Sequence, residues 1–196
     1  RREMEARQCG FRTRCDTEAV LNACLEHGEA ALPQFNGIFG LAVWDIQRRS
    51  LPLARDVFGV KPLYYVDTGN LLIFASEAKA LFASGEVQPE VDLDALNMLL
   101  AFRFVPSPRT LFRGVQKLPP GHCLRADSRG VRIARYESLT PTVEPEGGLK
   151  ECSARYLHEL RGAVHRQMIA DVPVGVSLAG GLDSAAILKY ATEVHE

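Results

Sequence analysis

The sequence lacks the features that mark several broad classes of protein. It has no uninterrupted apolar run of about 18 residues, so we expect no membrane-spanning helix. Its formal net charge of −1 provides no general attraction to nucleic acid or to an anionic membrane. No Gly-Lys-Ser/Thr sequence is present, which excludes a Walker A loop. What remains is a globular chain, because 46% of its 196 residues are hydrophobic, enough for a core.

The cysteines also exclude some chemistry. There are five, an odd number, and they include no Cys-x-x-Cys pair: Cys9, Cys15, Cys24, Cys123 and Cys152. This pattern is typical of reduced thiols in a cytoplasmic protein. No neighbouring histidine supports a cysteine nucleophile, so we predict a buried, inert thiol at each position and assign no catalytic residue.

The beginning of the chain has neither an initiator Met nor the apolar segment of a signal peptide. We therefore expect a fragment of a longer cytoplasmic protein.

The most informative stretch surrounds a Gly-Gly pair near the C-terminus. Residues 174–178 alternate Val or Leu with small residues, which predicts a strand in a covered parallel sheet. Gly180 and Gly181 permit a positive φ and let a ligand approach the backbone. The helix that follows presents free N–H groups, so an anion fits there. In its first turn, Asp183 is suited to hold Mg²⁺ on a phosphate and Ser184 to donate to a phosphate oxygen.

A strand–helix turn without any ligand is the alternative interpretation of this stretch. Gly-Gly alone would favour that alternative, but its ordered combination with Asp and Ser favours phosphate binding.

Upstream, the pattern predicts a sandwich of hairpins with helices. Three hairpins are expected, at residues 39–56, 62–75 and 123–136. Asp16 and Asp92 each precede an apolar periodic stretch, so both are predicted helix N-caps.

A polar stretch with two prolines and two glycines, residues 141–148, predicts a linker. It separates a domain at residues 1–140 from a second region at residues 149–196. That region opens with an amphipathic helix at residues 149–167, which we expect to pack on the sheet that begins at residues 174–178.

Six stretches together resemble the glutamine-dependent asparagine synthetase family, and they follow in the family's order. They are residues 35–40, 53–56, 58–65, 74–77, 117–122 and 171–184. The last is similar to the pyrophosphate loop of the N-type ATP pyrophosphatases, Ser-Gly-Gly-x-Asp-Ser. Ala179 departs from that pattern, because it occupies the position of the first Ser.

This resemblance implies a fold and an activity. The expected fold is α+β: a partial αββα sandwich of the N-terminal-nucleophile hydrolase type, the class II glutamine amidotransferase domain. The start of a Rossmann-like α/β ATP pyrophosphatase domain follows. The implied enzyme is a ligase of asparagine biosynthesis that transfers ammonia from glutamine to an aspartyl-adenylate made from aspartate and Mg-ATP. A cytoplasmic homodimer is expected, without nucleic-acid or membrane partners.

The resemblance also implies site residues. Asp16 matches the residue that holds the α-amino group of glutamine, a role it could combine with capping, and Leu178 matches a residue that contacts ATP. The matches to the pyrophosphate loop are Ala179, Gly180, Gly181, Asp183 and Ser184. The family's nucleophile would lie before residue 1 and most of its adenylation site after residue 196, so we expect the chain itself to be inactive.

Two rival functions stay open. One is a related ligase with another carboxylate acceptor, such as a β-lactam synthetase-like or cell-envelope amidotransferase. Two departures from the family keep it open: Ala179, and Glu137 at the position after Tyr where the family often has Trp. The other is a degenerate, non-catalytic scaffold.

Overall fold

The chain divides into two units, Arg1–Leu139 and Thr140–Glu196, which are described separately. The structure is a computed structural model that describes residues 4–5, 10–139 and 147–194. Most of the predicted linker, residues 141–146, lies outside the described residues. The functions assigned to the two predicted domains stay predictions. No helix in the described ranges has the length and apolar character needed to cross a membrane.

The first unit combines helices with two antiparallel sheets. Its helices are α1 (Asp16–His27), a 3₁₀ segment (Gly28–Gln34), α2 (Ala78–Ala83) and α3 (Leu93–Phe102). Its strands are β1 (Gly40–Ala42), β2 (Leu51–Arg55), β3 (Tyr64–Asp67), β4 (Leu72–Ala75), β5 (Gln116–Lys117), β6 (His122–Asp127) and β7 (Gly130–Arg135).

The two sheets have the orders β1-β2-β6-β7 and β4-β3-β5, and every neighbouring pair is antiparallel. The three predicted hairpins are confirmed as β1–β2, β3–β4 and β6–β7.

The core lies between the two sheets. Alternate residues of each strand point into it, because side chains along a strand alternate between the two faces of a sheet. Leu53 of β2, Leu124 of β6 and Tyr65 of β3 belong to one buried cluster, so the two sheets face each other. Their chain neighbours point the opposite way. Ala54 and Cys123 follow the outer face of the first sheet.

Helices cover both outer faces. Leu32 of the 3₁₀ segment packs on the first sheet, against Ala54 and Cys123. Leu81 of α2 packs on the second sheet, against Val66 and Val115. The layers therefore run helix, sheet, sheet, helix, which confirms the predicted αββα sandwich.

The ends of α1 and α3 test the capping predictions. Asp92 caps α3 as predicted, because its carboxylate accepts from the N–H groups of Asp94 and Ala95 at 3.0 and 3.1 Å. The prediction for Asp16 is wrong. Helix α1 begins at Asp16 itself, Cys15 is the extended N-cap residue, and no side chain caps the helix.

The loop before α1 explains this difference. The carboxylate of Glu18 accepts from the N–H groups of Arg12 at 2.8 Å and Thr13 at 2.7 Å. These bonds hold the loop against the first turn and place Cys15 at the cap position.

The second unit is a pair of helices, α4 (Leu149–Gln167) and α5 (Leu182–Thr192). The bounds of α4 match the prediction. Val164 of α4 packs against Tyr190 and Ala191 of α5. The strand predicted at residues 174–178 is not formed, and α4 packs on α5 instead of on a sheet. A strand requires a hydrogen-bonded neighbour, and the described residues of this unit form no other strand that could pair with the segment.

A buried arginine joins the elements of the sandwich. Arg55, at the end of β2, is 9% exposed. Its guanidinium donates to three backbone carbonyls: Gly59 at 2.6 Å, Lys61 at 2.7 Å and Leu118 at 2.8 Å. Burial lowers the pKa of Arg55, and the charge of Asp56 opposes that effect.

Asp56, 1% exposed, completes the turn that follows β2. Its carboxylate accepts from the N–H groups of Val60 and Lys61, both at 3.0 Å. Its carbonyl accepts from the N–H groups of Gly59 at 2.9 Å and Gly121 at 3.1 Å. The turn after β2 is thereby bonded to the turn before β6.

At Gly121, the chain leaves no room for a side chain. This glycine has a φ of +68°, and a Cβ there would lie 2.6 Å from the carbonyl oxygen of Glu137. Its own carbonyl accepts from the N–H group of Tyr136 at 2.9 Å, and the Tyr136 hydroxyl donates to the carbonyl of Arg55 at 2.7 Å.

We predict that Gly121→Ala lowers the free energy of unfolding by about 2–4 kcal/mol, because strain at positive φ and a backbone clash act together. The matched control is Gly69→Ala, with a φ of +84° but no atom within 4 Å of the added Cβ. The control should lose only about 1 kcal/mol. Urea unfolding followed by circular dichroism measures both. Equal losses would show that the close approach at Gly121 carries no cost.

Candidate functional site

A cleft lies beside α1, and the predicted glutamine-binding residue Asp16 lines it. Its volume is about 480 Å³. The polar side chains that line it are Arg14, Asp16, Glu26, His27, Gln34 and Asn36. Val20, Phe35 and Phe39 supply apolar wall. The volume is in the range of small-ligand pockets. Because the lining combines polar and apolar side chains, the cleft suits a small polar molecule with a short apolar chain.

The carboxylate of Asp16 remains available for a ligand. Among the described residues, its carboxylate accepts from Cys15 Sγ and Thr17 Oγ1, each at 3.5 Å, which is the long limit of a hydrogen bond. It makes no ion pair with any described residue. The carboxylate of Glu18, in contrast, is occupied by the loop before α1. Asp16 can therefore accept a cationic group without breaking a strong internal contact.

The predicted phosphate loop joins residues 174–178 to α5. Gly180 uses the positive φ that both glycines permit, with a φ of +77°, whereas Gly181 is the N-cap of α5 with φ −88° and ψ 164°. One left-handed residue therefore suffices for the turn. A Cβ at either glycine would meet no atom within 4 Å. The loop is thus open on the side where its backbone could meet a ligand.

The start of α5 contains the other predicted loop residues. Asp183 and Ser184 lie in its first turn, as predicted. The Ser184 hydroxyl donates to the carbonyl of Gly181 at 3.1 Å, so a bond to phosphate would require it to rotate. Asp183 is exposed and has no ion pair within the part of the chain that is described. Leu178, 57% exposed, precedes the loop.

The structure brings residues 178–184 together, whereas Asp16 lies in the other unit. Within the described ranges, no three His, Cys, Asp or Glu side chains form a metal-binding group.

The described cysteines differ in their surroundings, and all four are free thiols. Burial, with help from Glu29, raises the pKa of Cys123 to about 12, and burial also raises the pKa of Cys24. A thiol nucleophile needs a lowered pKa, so neither is activated. The prediction of a buried thiol is confirmed for Cys123 but wrong for Cys15, which is exposed beside Asp16. Cys9 lies outside the described residues.

Two family profiles match consecutive parts of the chain. One, described as a glutamine amidotransferase domain, matches residues 1–137. The other, described as asparagine synthase, matches residues 155–196.

Curated relatives align over nearly the whole chain. Asparagine synthetase [glutamine-hydrolyzing] 3 of Bacillus subtilis is 35% identical over 97% of this chain and 31% of its own length. Asparagine synthetase [glutamine-hydrolyzing] 1 of the same organism is 34% identical over 100% of this chain and 31% of its own length. Amidase chyE of Penicillium rubens is 31% identical over 98% of this chain and 29% of its own length. The chain spans about a third of the length of these relatives.

The sandwich also has a counterpart among solved structures. The allosteric regulatory enzyme of purine biosynthesis is 16% identical and has a TM-score of 0.50, over 98% of this chain and 39% of that one. This likeness concerns the fold alone. With the larger profile match covering more than half of the residues and the second following it, the chain belongs to the glutamine amidotransferase family, in the domain order of the glutamine-hydrolysing asparagine synthetases.

Proposed function

We propose that this chain is part of a cytoplasmic, glutamine-hydrolysing asparagine synthetase, a carbon–nitrogen ligase. In this proposal the first unit binds glutamine, and the second contributes to the site that makes an aspartyl-adenylate from aspartate and ATP. Ammonia released from glutamine then attacks the adenylate. The observation that carries the proposal is the presence, in one chain, of an amidotransferase sandwich followed by an open Gly-Gly loop at a helix start. Assembly as a homodimer is proposed from the family resemblance alone.

The proposed role of Asp16 is to accept hydrogen bonds from the α-ammonium group of glutamine. Its exposed carboxylate, which has two long contacts within the described part of the chain, supports this role. An ionic hydrogen bond of this kind is stronger than a neutral one, so it selects a charged ligand.

The proposed role of residues 178–184 is to bind ATP. Leu178 would contact the nucleotide, and the backbone around Ala179, Gly180 and Gly181 would meet the pyrophosphate portion. The N–H groups in the first turn of α5 and the positive end of its dipole favour an anion there. Ser184 would add a hydroxyl donor after rotating away from the carbonyl of Gly181.

Asp183 is the residue that would hold Mg²⁺. An exposed carboxylate without an ion pair fits this ion, which proteins usually bind through one or two carboxylates together with substrate phosphates. Bound there, Mg²⁺ would offset negative charge on the phosphates. We assign no catalytic residue to the chain and expect no glutaminase activity from it alone.

A second candidate is a related enzyme with another carboxylate acceptor. The 31% identity to a relative that is named an amidase favours it, as does Ala179 in the position where the asparagine synthetase family has Ser. The acceptor distinguishes the two candidates: aspartate-dependent release of pyrophosphate by the longer protein that contains this chain would support the synthetase.

Gly181→Val tests the phosphate loop. Gly181 has an ordinary φ and open space around its missing side chain, so the substitution should leave α5 folded but block ligand approach. We expect Mg-ATP to bind at least about tenfold more weakly, a loss of about 1.4 kcal/mol. Gly175→Val is the matched control, since a Cβ there also meets nothing within 4 Å. Calorimetric titration measures both, and unchanged affinity in Gly181→Val would remove the phosphate role.

Ala179→Ser should restore a donor to the loop. A hydroxyl at this position that faces the pyrophosphate would add one hydrogen bond to a charged oxygen, worth about 1.5–3 kcal/mol. We therefore expect Mg-ATP and pyrophosphate to bind roughly tenfold to a hundredfold more tightly. The control is Ala185→Ser, on the exposed surface of α5. Weaker binding after Ala179→Ser would mean that the loop is adapted to Ala, and binding in neither form would favour the non-catalytic scaffold.

A further inference from the structure

An apolar stripe is exposed along one face of α3. Leu93 lies four residues before Asn97. Leu100 and Ala101 lie three and four residues after Asn97, and side chains at these spacings share one face of a helix. All four side chains are exposed, Leu93 by 70% and Leu100 by 75%. Ala95, on the opposite face, is fully buried, so α3 packs on the protein with one side and presents leucines to solvent with the other.

The apolar surface continues at the C-terminal end of the helix. Phe102 and Phe104 are each 60% exposed, and their ring centroids lie 6.4 Å apart. Since an aromatic side chain has about 150–250 Å² of surface, the two leucines and two phenylalanines together present about 400 Å². An exposed apolar patch of this size is often an interaction site.

We propose that this face of α3 binds a second copy of the chain, with the two copies of α3 antiparallel about a two-fold axis at Asn97. The proposal gives a surface to the homodimer, which otherwise rests on the family resemblance alone. It is independent of the ligase activity, because no residue of the stripe lines the cleft beside α1 or belongs to the loop at residues 178–184.

The stripe is complementary to itself. Leu93 and Leu100 lie on either side of Asn97. When two identical helices pair in antiparallel directions, Leu93 of one copy packs against Leu100 of the other, and the same contact recurs across the axis. Asn97 then meets Asn97 of the second copy. An amide has both donors and an acceptor, so two of them can pair reciprocally.

The charges at the two ends of α3 favour the antiparallel arrangement. Its start carries Asp92 and Asp94, and Arg103 is the C-cap residue. An antiparallel pair places Arg103 of each copy beside the acidic start of the other, whereas a parallel pair would bring like charges together. Arg103 is exposed and makes no ion pair with a described residue. Asp94 lies 3.9 Å from Arg109, a long contact between exposed side chains that leaves its carboxylate accessible to a second partner.

The size of the contact predicts a weak dimer. Covering the patch on both copies would remove about 800–1,000 Å² from water, which is at the low end of specific interfaces. We therefore expect a reversible dimer with a dissociation constant on the order of 10 μM.

The test is sedimentation equilibrium of the 196-residue chain over a range of concentrations. The chain should show a reversible equilibrium between monomer and dimer. Leu100→Glu should raise the dissociation constant at least about tenfold, because it places a charge in both halves of a symmetric contact. The matched control is Leu25→Glu on α1, since Leu25 is also 75% exposed but lies outside the stripe. The control should leave the dissociation constant unchanged.

Substitutions at Asn97 test the two-fold axis itself. Asn97→Asp brings two carboxylates together across the axis, and Asn97→Lys brings two ammonium groups together, so each variant alone should be monomeric. An equal mixture of the two variants should dimerise, because opposite charges then meet. Asn97 is exposed, so both variants should keep the fold, which circular dichroism checks.

A chain that stays monomeric up to about 1 mM, far above the expected dissociation constant, would overturn the proposal. So would a dimer that is weakened by Leu25→Glu and not by Leu100→Glu, because its contact would then lie on α1. If the mixed Asn97 variants do not pair, the two-fold axis at Asn97 is wrong. If the longer protein that contains this chain is monomeric, another part of that protein covers α3 and the second copy is not its partner. In each of these cases the proposed ligase activity would stand.

Discussion

The buried guanidinium of Arg55 is the contact on which the sandwich depends. A buried arginine without partners would cost several kcal/mol, so the surrounding backbone must supply acceptors. Three carbonyls do so, from Gly59, Lys61 and Leu118. Leu118 lies directly after β5, in the second sheet, whereas Arg55 ends β2 in the first. One side chain thus bonds the two sheets to each other, and Asp56 fixes the turn between them.

The buried titratable groups around this contact are not activated for chemistry. Burial, together with the charge of Asp56, raises the pKa of Tyr136 to about 12, and burial raises the pKa of Cys123 to about 12. Both groups therefore stay neutral near pH 7. The groups that we assign to ligands lie at the starts of helices instead. Asp16 begins α1 with a negative charge that suits a cation, and Gly181 is the N-cap of α5, whose open N–H groups suit an anion.

Local patterns predicted the elements that local interactions determine. The three hairpins and the bounds of α4 follow from alternation, turn residues and apolar periodicity, all readable within about 20 residues. The N-cap prediction at Asp16 missed by one residue, because Glu18 fixes the preceding loop through backbone groups that no side-chain pattern reports.

Features that depend on residues far apart in the sequence were either predicted wrongly or not predicted at all. Residues 174–178 have the composition of a strand, but the described residues of their own unit form no strand to pair with. The contact of Arg55 with Leu118 joins positions 63 residues apart and uses a carbonyl, which is the same for every residue type. The motif at residues 53–56 was recognised, but its structural role was not. The glycines at positions 59 and 121 were the available sequence signal for the tight turns around Arg55, and both have a positive φ in the structure.

Equilibrium urea unfolding of Arg55→Lys tests the central claim most directly. Lysine keeps the positive charge beside Asp56 but cannot place three donors on carbonyls that lie in different directions. If the guanidinium joins the two sheets, the free energy of unfolding should fall by about 2–4 kcal/mol, because at least two of the three carbonyls, which are buried or partly buried, lose their donor. A loss below about 0.5 kcal/mol, the range of ordinary surface substitutions, would contradict the account and show that packing alone holds the sheets together.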